Sequence, residues 1–168
     1  MSGLINSAGS RSGVIGAKEY AVATVNANQT ISNDTWTAIN FDATPTGLDP
    51  NDWFDNSTDK FLPTKAGKYF ISLMTEMYAV DGVDKAIIHR SIIKLNSVSL
   101  DGTGAIAASR LDLRSENFYA AIQCANAIVD MNGSTDYIHS VGFGSAATGD
   151  TIIGATPYTK FSAFRIGS

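Results

Sequence analysis

Three residue types that together catalyse hydrolysis in many enzymes occur within five positions of this sequence. His139 and Ser140 are adjacent, and Asp136 precedes them. Successive side chains of a β-strand point to opposite faces, so a strand here would separate His139 from Ser140. Ser140 also lacks the glycine-flanked turn that exposes a nucleophilic serine in many hydrolases. The stretch therefore does not predict catalysis.

A pair of carboxylates can cleave a glycosidic bond, and this is the second chemistry that the residue types permit. Such a pair must lie roughly 5 Å or about 7 to 9 Å apart across a cleft. The spacing of the acidic residues selects no pair, so we expect solvated loop charges. The candidates by residue type are Glu76, Asp81, Asp112 and Glu116.

Metal ligation is predicted neither at the histidines nor at the aspartates. His89 and His139 lie fifty residues apart. Neither has a second ligand at the spacing of a zinc site, so both are expected to be packing or interface residues. Calcium needs six or more converging oxygens. The aspartates are instead scattered along the chain, at Asp81, Asp84, Asp101 and Asp112. No cofactor is predicted.

The composition fits one all-β domain. A chain of 168 residues can bury one sizeable core. Charged residues make up 17% of it, below the quarter or so that is usual for soluble domains. Few charges among many Ser, Thr, Asn and Gly residues are typical of all-β proteins, and also of proteins that bury surface against copies of themselves.

Charge and hydropathy narrow the partners and the location. The formal net charge of −4 argues against a nucleic-acid binder, which needs a basic surface. The sequence shows neither a secretory signal nor a run long enough to span a membrane, so we expect synthesis in a cytoplasm and no membrane insertion. Cys124 is the only cysteine, which excludes an intrachain disulfide, and its apolar surroundings predict burial.

Strand-like segments separated by turn signals run from residue 19 to the end of the chain. Their alternation and spacing predict about eight to ten strands, as in sandwiches and jelly rolls. Asn132-Gly133 predicts a hairpin turn. The predicted strands cover residues 20–25, 36–41, 68–80, 86–95, 105–113, 117–131, 136–144, 152–153 and 158–166.

Residues 1–18 differ from the domain that follows at 19–168. They are rich in Gly and Ser and have neither helical nor strand periodicity, which predicts an extended arm. Two apolar pairs in this arm suit docking into grooves on another protein, with a disordered terminus as the alternative. The pairs are Leu4-Ile5 and Val14-Ile15.

The segment 68–80 is apolar on both strand faces. Tyr69 and Ile71 alternate with Phe70 and Tyr78, a pattern typical of a strand that is buried on both sides. In a sandwich, one face meets the opposite sheet. The other face needs a second cover, and a neighbouring subunit is the simplest one.

Three blocks of the sequence carry a family resemblance. In residues 53–72, an aromatic-Asp pair at Phe54-Asp55 leads through a polar turn to Gly67 and an aromatic strand. Residues 127–141 and 159–166 form the other two blocks, a strand with a Gly-centred turn and a terminal strand. This order resembles the C1q/TNF-like trimeric jelly roll. The resemblance implies a homotrimer that serves binding and not catalysis.

A second, shorter resemblance implies a viral setting. Residues 6–16 are similar to a short element of structural proteins in marine tailed phages. The chain also lacks the collagen repeat and the acidic calcium cluster of better-known C1q-like proteins. We therefore expect a non-enzymatic virion structural protein, either a capsid decoration or head-fibre protein or a tail-fibre tip.

This hypothesis assigns roles to particular residues and partners. The arm would dock on other virion proteins, and the trimeric head would face outward, where it could bind a host surface glycan or protein. The residues expected at the subunit interface are Tyr69, Ile71, Tyr78, Phe161 and Phe164, and candidates for ion pairs between subunits are Arg90, Arg110, Arg114 and Arg165. The residues of a possible ligand face are Trp53, Tyr137 and Tyr158.

Two alternatives remain open. One is a tail protein that binds or cleaves a glycan. The other is a secreted bacterial C1q-like lectin, which the missing signal disfavours. A metal held jointly by three copies of a histidine on a three-fold axis is also left open.

Overall fold

The computed structural model describes residues 19–79, 87–113, 120–146 and 149–167. In these ranges the chain forms twelve β-strands and no helix. They are β1 Tyr20–Thr24, β2 Gln29–Ile31, β3 Thr35–Ala38, β4 Phe54–Asp55, β5 Lys60–Phe61, β6 Gly67–Ala79, β7 Ile87–Leu95, β8 Ala105–Leu113, β9 Ala120–Met131, β10 Ile138–Ala146, β11 Thr151–Ile153 and β12 Lys160–Gly167. The prediction of an all-β chain is confirmed. The short strands β2, β4 and β5 were not predicted, because segments of two or three residues show no alternation.

The first sheet is organised around β6. One edge of β6 pairs with β9 along nearly its whole length. The other edge pairs first with β12 and then with β11. β1 continues the sheet beyond β12, and β2 continues it beyond β11. All of these pairings are antiparallel. The first sheet is therefore an antiparallel sheet with β6 as its central strand.

The second sheet is organised in the same way around β10. β7 pairs along one edge of β10, and β8 pairs with the far edge of β7. The other edge of β10 is shared by β5 and β3, and β4 pairs with β5. The two sheets pack face to face and bury the inward side chains of both.

Aromatic rings fill the core between the sheets. Phe61 is central, with ring centroids 6.1 Å from Trp53, 5.6 Å from Tyr69 and 5.6 Å from Phe161. The polar tip of Tyr69 has a partner, since its hydroxyl donates to the backbone oxygen of Lys65 at 2.7 Å. Burial raises the pKa of Tyr69 to about 12. Such rings contribute strongly to stability because each buries a large apolar area.

The first block of the resemblance begins with a tight hairpin of β4 and β5. The carboxylate of Asp55 accepts hydrogen bonds from the Ser57 backbone N–H at 2.8 Å, the Ser57 hydroxyl at 2.6 Å and the Thr58 hydroxyl at 2.8 Å. Because these hydrogen bonds favour the ionised form, the pKa of Asp55 lies below its usual value. The aromatic-Asp pair and the polar turn are thus one local device that closes the hairpin.

The prediction of a hairpin at Asn132-Gly133 is wrong. The turn does not close a hairpin, because β9 belongs to the first sheet and β10 to the second. The turn instead carries the chain from one sheet to the other. Gly133 has φ +69°, and a Cβ there would lie 2.3 Å from the backbone nitrogen of Ala66. Glycine is therefore required by both conformation and space.

Candidate functional site

The residues of the hydrolytic set are held apart by the strand that carries two of them. His139 pairs with Lys94 and Ser140 with Ile93 in adjacent positions of β10, so their side chains point to opposite faces. Ser140 is buried. The carboxylate of Asp136 accepts from the Asn96 amide and from the Asn132 backbone N–H, both at 2.7 Å. This geometry does not assemble a nucleophile with a base.

A second polar group of side chains lies inside the sandwich. The Nε2 atom of His89 is 3.1 Å from both the Thr75 and the Ser91 hydroxyl oxygens, which also contact each other. The Gln123 side-chain nitrogen donates to the backbone oxygen of His89 at 3.0 Å. All four residues are buried. We call them the buried polar cluster.

The buried polar cluster is sealed from solvent and holds a neutral histidine. Burial lowers the pKa of His89 to about 4, because a charged imidazolium would lose its hydration there. Its Nδ1 atom and the side-chain oxygen of Gln123 have no hydrogen-bond partner among the described residues. Because the His89 ring is enclosed, it cannot reach a substrate in this structure, and the cluster forms part of the interior of the sandwich.

An exposed apolar surface lies on the outer face of the first sheet. Phe70 on β6 is flanked by Phe164 on β12 and Ile128 on β9, and Tyr20 on β1 pairs with Phe164. The Phe70 and Phe164 rings are 5.0 Å apart. Ile128 is 65% exposed and Phe164 is 44% exposed. We call these four residues, which cross four adjacent strands, the apolar row.

The rest of this outer face mixes apolar and polar side chains. Ser72 lies between Ser162 and Asn126, and beyond this polar row Met74 pairs with Cys124. Cys124 is exposed, which corrects the prediction that it is buried. Cys124 lies in an apolar run, but the alternation of β9 directs its side chain to the outer face.

The residues expected at the subunit interface divide between the two faces of the first sheet. Tyr69, Ile71 and Phe161 are at most 1% exposed and belong to the core of one subunit. They have no surface left to share with another copy, so we exclude them from the interface. Phe164 belongs to the apolar row, and Tyr78 lies further along β6 on the same outer face, where it pairs with Ile152; their role at an interface stays a prediction.

The possible ligand face does not include Trp53. That side chain is buried in the core, where its indole N–H donates to the Thr64 hydroxyl at 3.0 Å. Tyr137 lies beside the second sheet, with the Lys60 ammonium 4.6 Å from its ring centroid. Tyr158 is 46% exposed and precedes β12 of the first sheet. The two tyrosines therefore flank different sheets.

Three of the four candidate arginines have contacts within the subunit, two with a carboxylate and one with an aromatic ring. Arg165 is 3.1 Å from the Glu19 carboxylate and also donates to the backbone oxygen of Ala66. Arg110 is 3.2 Å from Asp112. Arg90 lies over the Phe143 ring, 5.1 Å from its centroid. The remaining candidate, Arg114, and the arm residues Leu4, Ile5, Val14 and Ile15 lie outside the described residues.

The described residues contain neither a cluster of metal ligands nor a membrane-spanning helix. Within 19–79, 87–113, 120–146 and 149–167, no three His, Cys, Asp or Glu side chains come together as metal ligands. The described part of the chain also contains no apolar helix of membrane-spanning length.

Comparison with known proteins identifies the fold. The sequence matches no family model and no curated protein. Among solved structures, it is similar to "Structure of Eiger TNF from S. frugiperda", with a TM-score of 0.60 and 9% identity over 89% of this chain and 93% of that chain. The fold is a TNF-like jelly roll. At this identity the TNF-like similarity concerns architecture alone, and it confirms the jelly-roll sandwich that the three sequence blocks predicted.

Proposed function

We propose that this protein is a non-enzymatic virion structural protein, a homotrimeric TNF-like head that its N-terminal arm anchors to a phage particle. The observation that carries the trimer is the apolar row. Four large apolar or aromatic side chains lie side by side on an outer sheet face, and Ile128 is 65% exposed. A continuous exposed apolar surface of this kind is typical of an interaction site.

A second and third copy of the chain are the occupants that the fold favours. The TNF-like architecture is consistent with a homotrimer. Interfaces of obligate oligomers bury roughly 2,000 Å² or more and resemble a core cut in half. The outer face of the first sheet supplies apolar side chains along β6, β9 and β12 for such a contact.

The positions of the polar residues support a structural role. His139 and Ser140 lie on opposite faces of β10, and His89 is enclosed between the sheets. A glycan-cleaving protein remains the rival from another class. Incubation with host polysaccharide and a reducing-end assay distinguishes the two, since cleavage would contradict the proposal.

The interface is tested by a charge placed on the apolar row. Ile128→Glu is compatible with a single subunit, because the side chain is mostly exposed there, but it would bury a carboxylate in the trimer. We expect this variant to aggregate or to lose the trimer by light scattering. The control Val98→Glu adds the same charge at a residue that is 51% exposed and lies outside the first sheet. Identical trimers from both variants would contradict this assignment.

The virion setting rests on the phage-like segment 6–16 and is tested separately. Deleting residues 1–18 should abolish incorporation into particles and leave the trimer intact. Incorporation of the truncated chain would show that the arm is not the anchor. Microscopy of intact particles would then distinguish a capsid position from a tail tip.

A further inference from the structure

A row of aromatic and arginine side chains crosses the outer face of the second sheet. Phe143 on β10 pairs with Trp36 on β3 and with Arg90 on β7, and Arg90 pairs in turn with Arg110 on β8. Directly opposed residues of antiparallel strands share one face. His89 contacts Thr75 of the other sheet, so its neighbour Arg90 points outward. We call these four residues the aromatic–arginine row.

The rings of this row form a platform. The Trp36 and Phe143 centroids are 5.0 Å apart with a 46° tilt, and the Arg90 guanidinium carbon is 5.1 Å from the Phe143 centroid. All three side chains are partly exposed. A flat ring beside a guanidinium presents an apolar surface and a planar donor group to the same ligand.

The charges of the row are unbalanced. Arg90 has no carboxylate partner among the described residues, and its Nε atom is buried without a hydrogen bond. Arg110 stands directly opposite, and like charges in this position repel. Asp112 neutralises Arg110 at 3.2 Å. An anion between the two guanidinium groups would remove the repulsion and give Arg90 a partner.

The loop between β7 and β8 covers one side of the platform. The loop is tied down by Lys94, whose ammonium donates to the Ser99 backbone oxygen and to the Asp101 carboxylate, both at 2.8 Å. Gly102 of this loop lies against the Trp36 ring, and a Cβ there would be 3.1 Å from the indole. The loop therefore covers one side of the Trp36 ring, and a ligand has to approach from the other side.

We propose that the aromatic–arginine row binds an acidic saccharide. Its carboxylate or sulfate group contacts Arg90 and Arg110, and an apolar face of a sugar ring packs on Trp36. The two guanidinium groups of the row together suit one carboxylate or sulfate group. A glycan that carries one acidic group on each sugar fits this arrangement. A nucleic acid would need a broader basic surface, whereas this chain has a net charge of −4. The inference deepens the proposed role as a binding head, and rests on it for the biological setting.

The site and the proposed trimer face lie on different sheets, so the two can be tested independently. Calorimetric titration with trigalacturonate supplies carboxylates, and a chondroitin sulfate disaccharide supplies a sulfate. Maltotriose is the neutral control and tetrathymidylate the nucleic-acid control. We expect binding of an acidic saccharide and not of either control. Failure of both acidic probes, or equal binding of tetrathymidylate, would overturn the proposal.

Variants locate the binding. Arg90→Gln should lower affinity about tenfold or more, because hydrogen bonds to charged groups contribute strongly. Asp112→Asn should raise affinity by releasing Arg110 from its ion pair, which tests the site even if Arg90→Gln folds poorly. Lys65→Gln removes a positive charge from a different loop and should leave the affinity for the acidic saccharide unchanged. Unchanged affinity in both the Arg90 and Asp112 variants would overturn the assignment.

Light scattering on the titrated samples separates this proposal from the previous one. A trimer that binds no acidic saccharide would refute the proposed ligand but would agree with the proposed trimeric head. A monomer that binds it would support the site and contradict the trimer.

Discussion

Acid should destabilise this protein through the buried polar cluster. His89 is neutral in the fold, with its pKa lowered by burial to about 4, whereas in the unfolded chain an ordinary value near 6.5 applies. Between these values the unfolded chain binds more protons than the fold. Stability is therefore fully present above the unfolded pKa, falls below about pH 6.5, and has lost its full share below about pH 4.

The shift sets the size of the effect. Proton linkage with these two pKa values gives a loss of about 2.5 kcal/mol between about pH 7 and pH 4.5. The side chains that contact the His89 ring, Thr75 and Ser91, are uncharged and cannot compensate. Other titrating groups also contribute, so the quantity to measure is the difference between variants.

Urea unfolding at about pH 7 and pH 4.5, at a fixed protein concentration, measures this difference in stability between variants. His89→Gln should be less stable than the wild type at neutral pH, but its stability should fall by about 2.5 kcal/mol less on acidification. The control His139→Gln removes the other histidine, whose pKa is lowered by burial and by the neighbouring Lys60 and Lys94. It should retain the contribution of His89. Equal acid sensitivity of wild type and His89→Gln would refute the reasoning.

Three further substitutions test the packing. Phe61→Ala removes the central ring of the aromatic core and should cost about 3 to 5 kcal/mol in urea unfolding; a cost below about 1 kcal/mol would contradict the core assignment. Gly133→Ala should cost roughly 2 kcal/mol or more, because strain adds to a backbone clash, while Gly104→Ala at φ +68° meets no atom within 4 Å and should cost only the strain. Asp101→Asn removes the charge that faces the buried Lys94 ammonium and should make the β7–β8 loop more sensitive to proteolysis, so unchanged cleavage there would show that the contact is not needed.

Much of the fold follows from local sequence patterns. The predicted segments 105–113 and 86–95 agree with β8 and β7 to within one residue, because their alternation and flanking turns are local signals. The block around Asp55 also predicts the local structure well, because the hydrogen bonds of its turn join residues that are close in sequence.

The candidate sites depend on pairings that no local pattern contains. Both faces of β6 are apolar, so the sequence cannot tell which one meets the opposite sheet, and the expected interface mixed Tyr69 with Phe164. The aromatic–arginine row forms only when β3, β10 and β7 come into register. Trp36 and Arg90 give no signal of that contact, because they lie in separate strands with ordinary alternation.

The mass of the purified protein in solution tests the central claim most directly. Light scattering at micromolar concentration should report about 53 kDa, three copies of the 17.8 kDa chain. The value should persist on dilution, because the apolar row needs cover. A stable, folded species with the mass of a single chain would contradict the account.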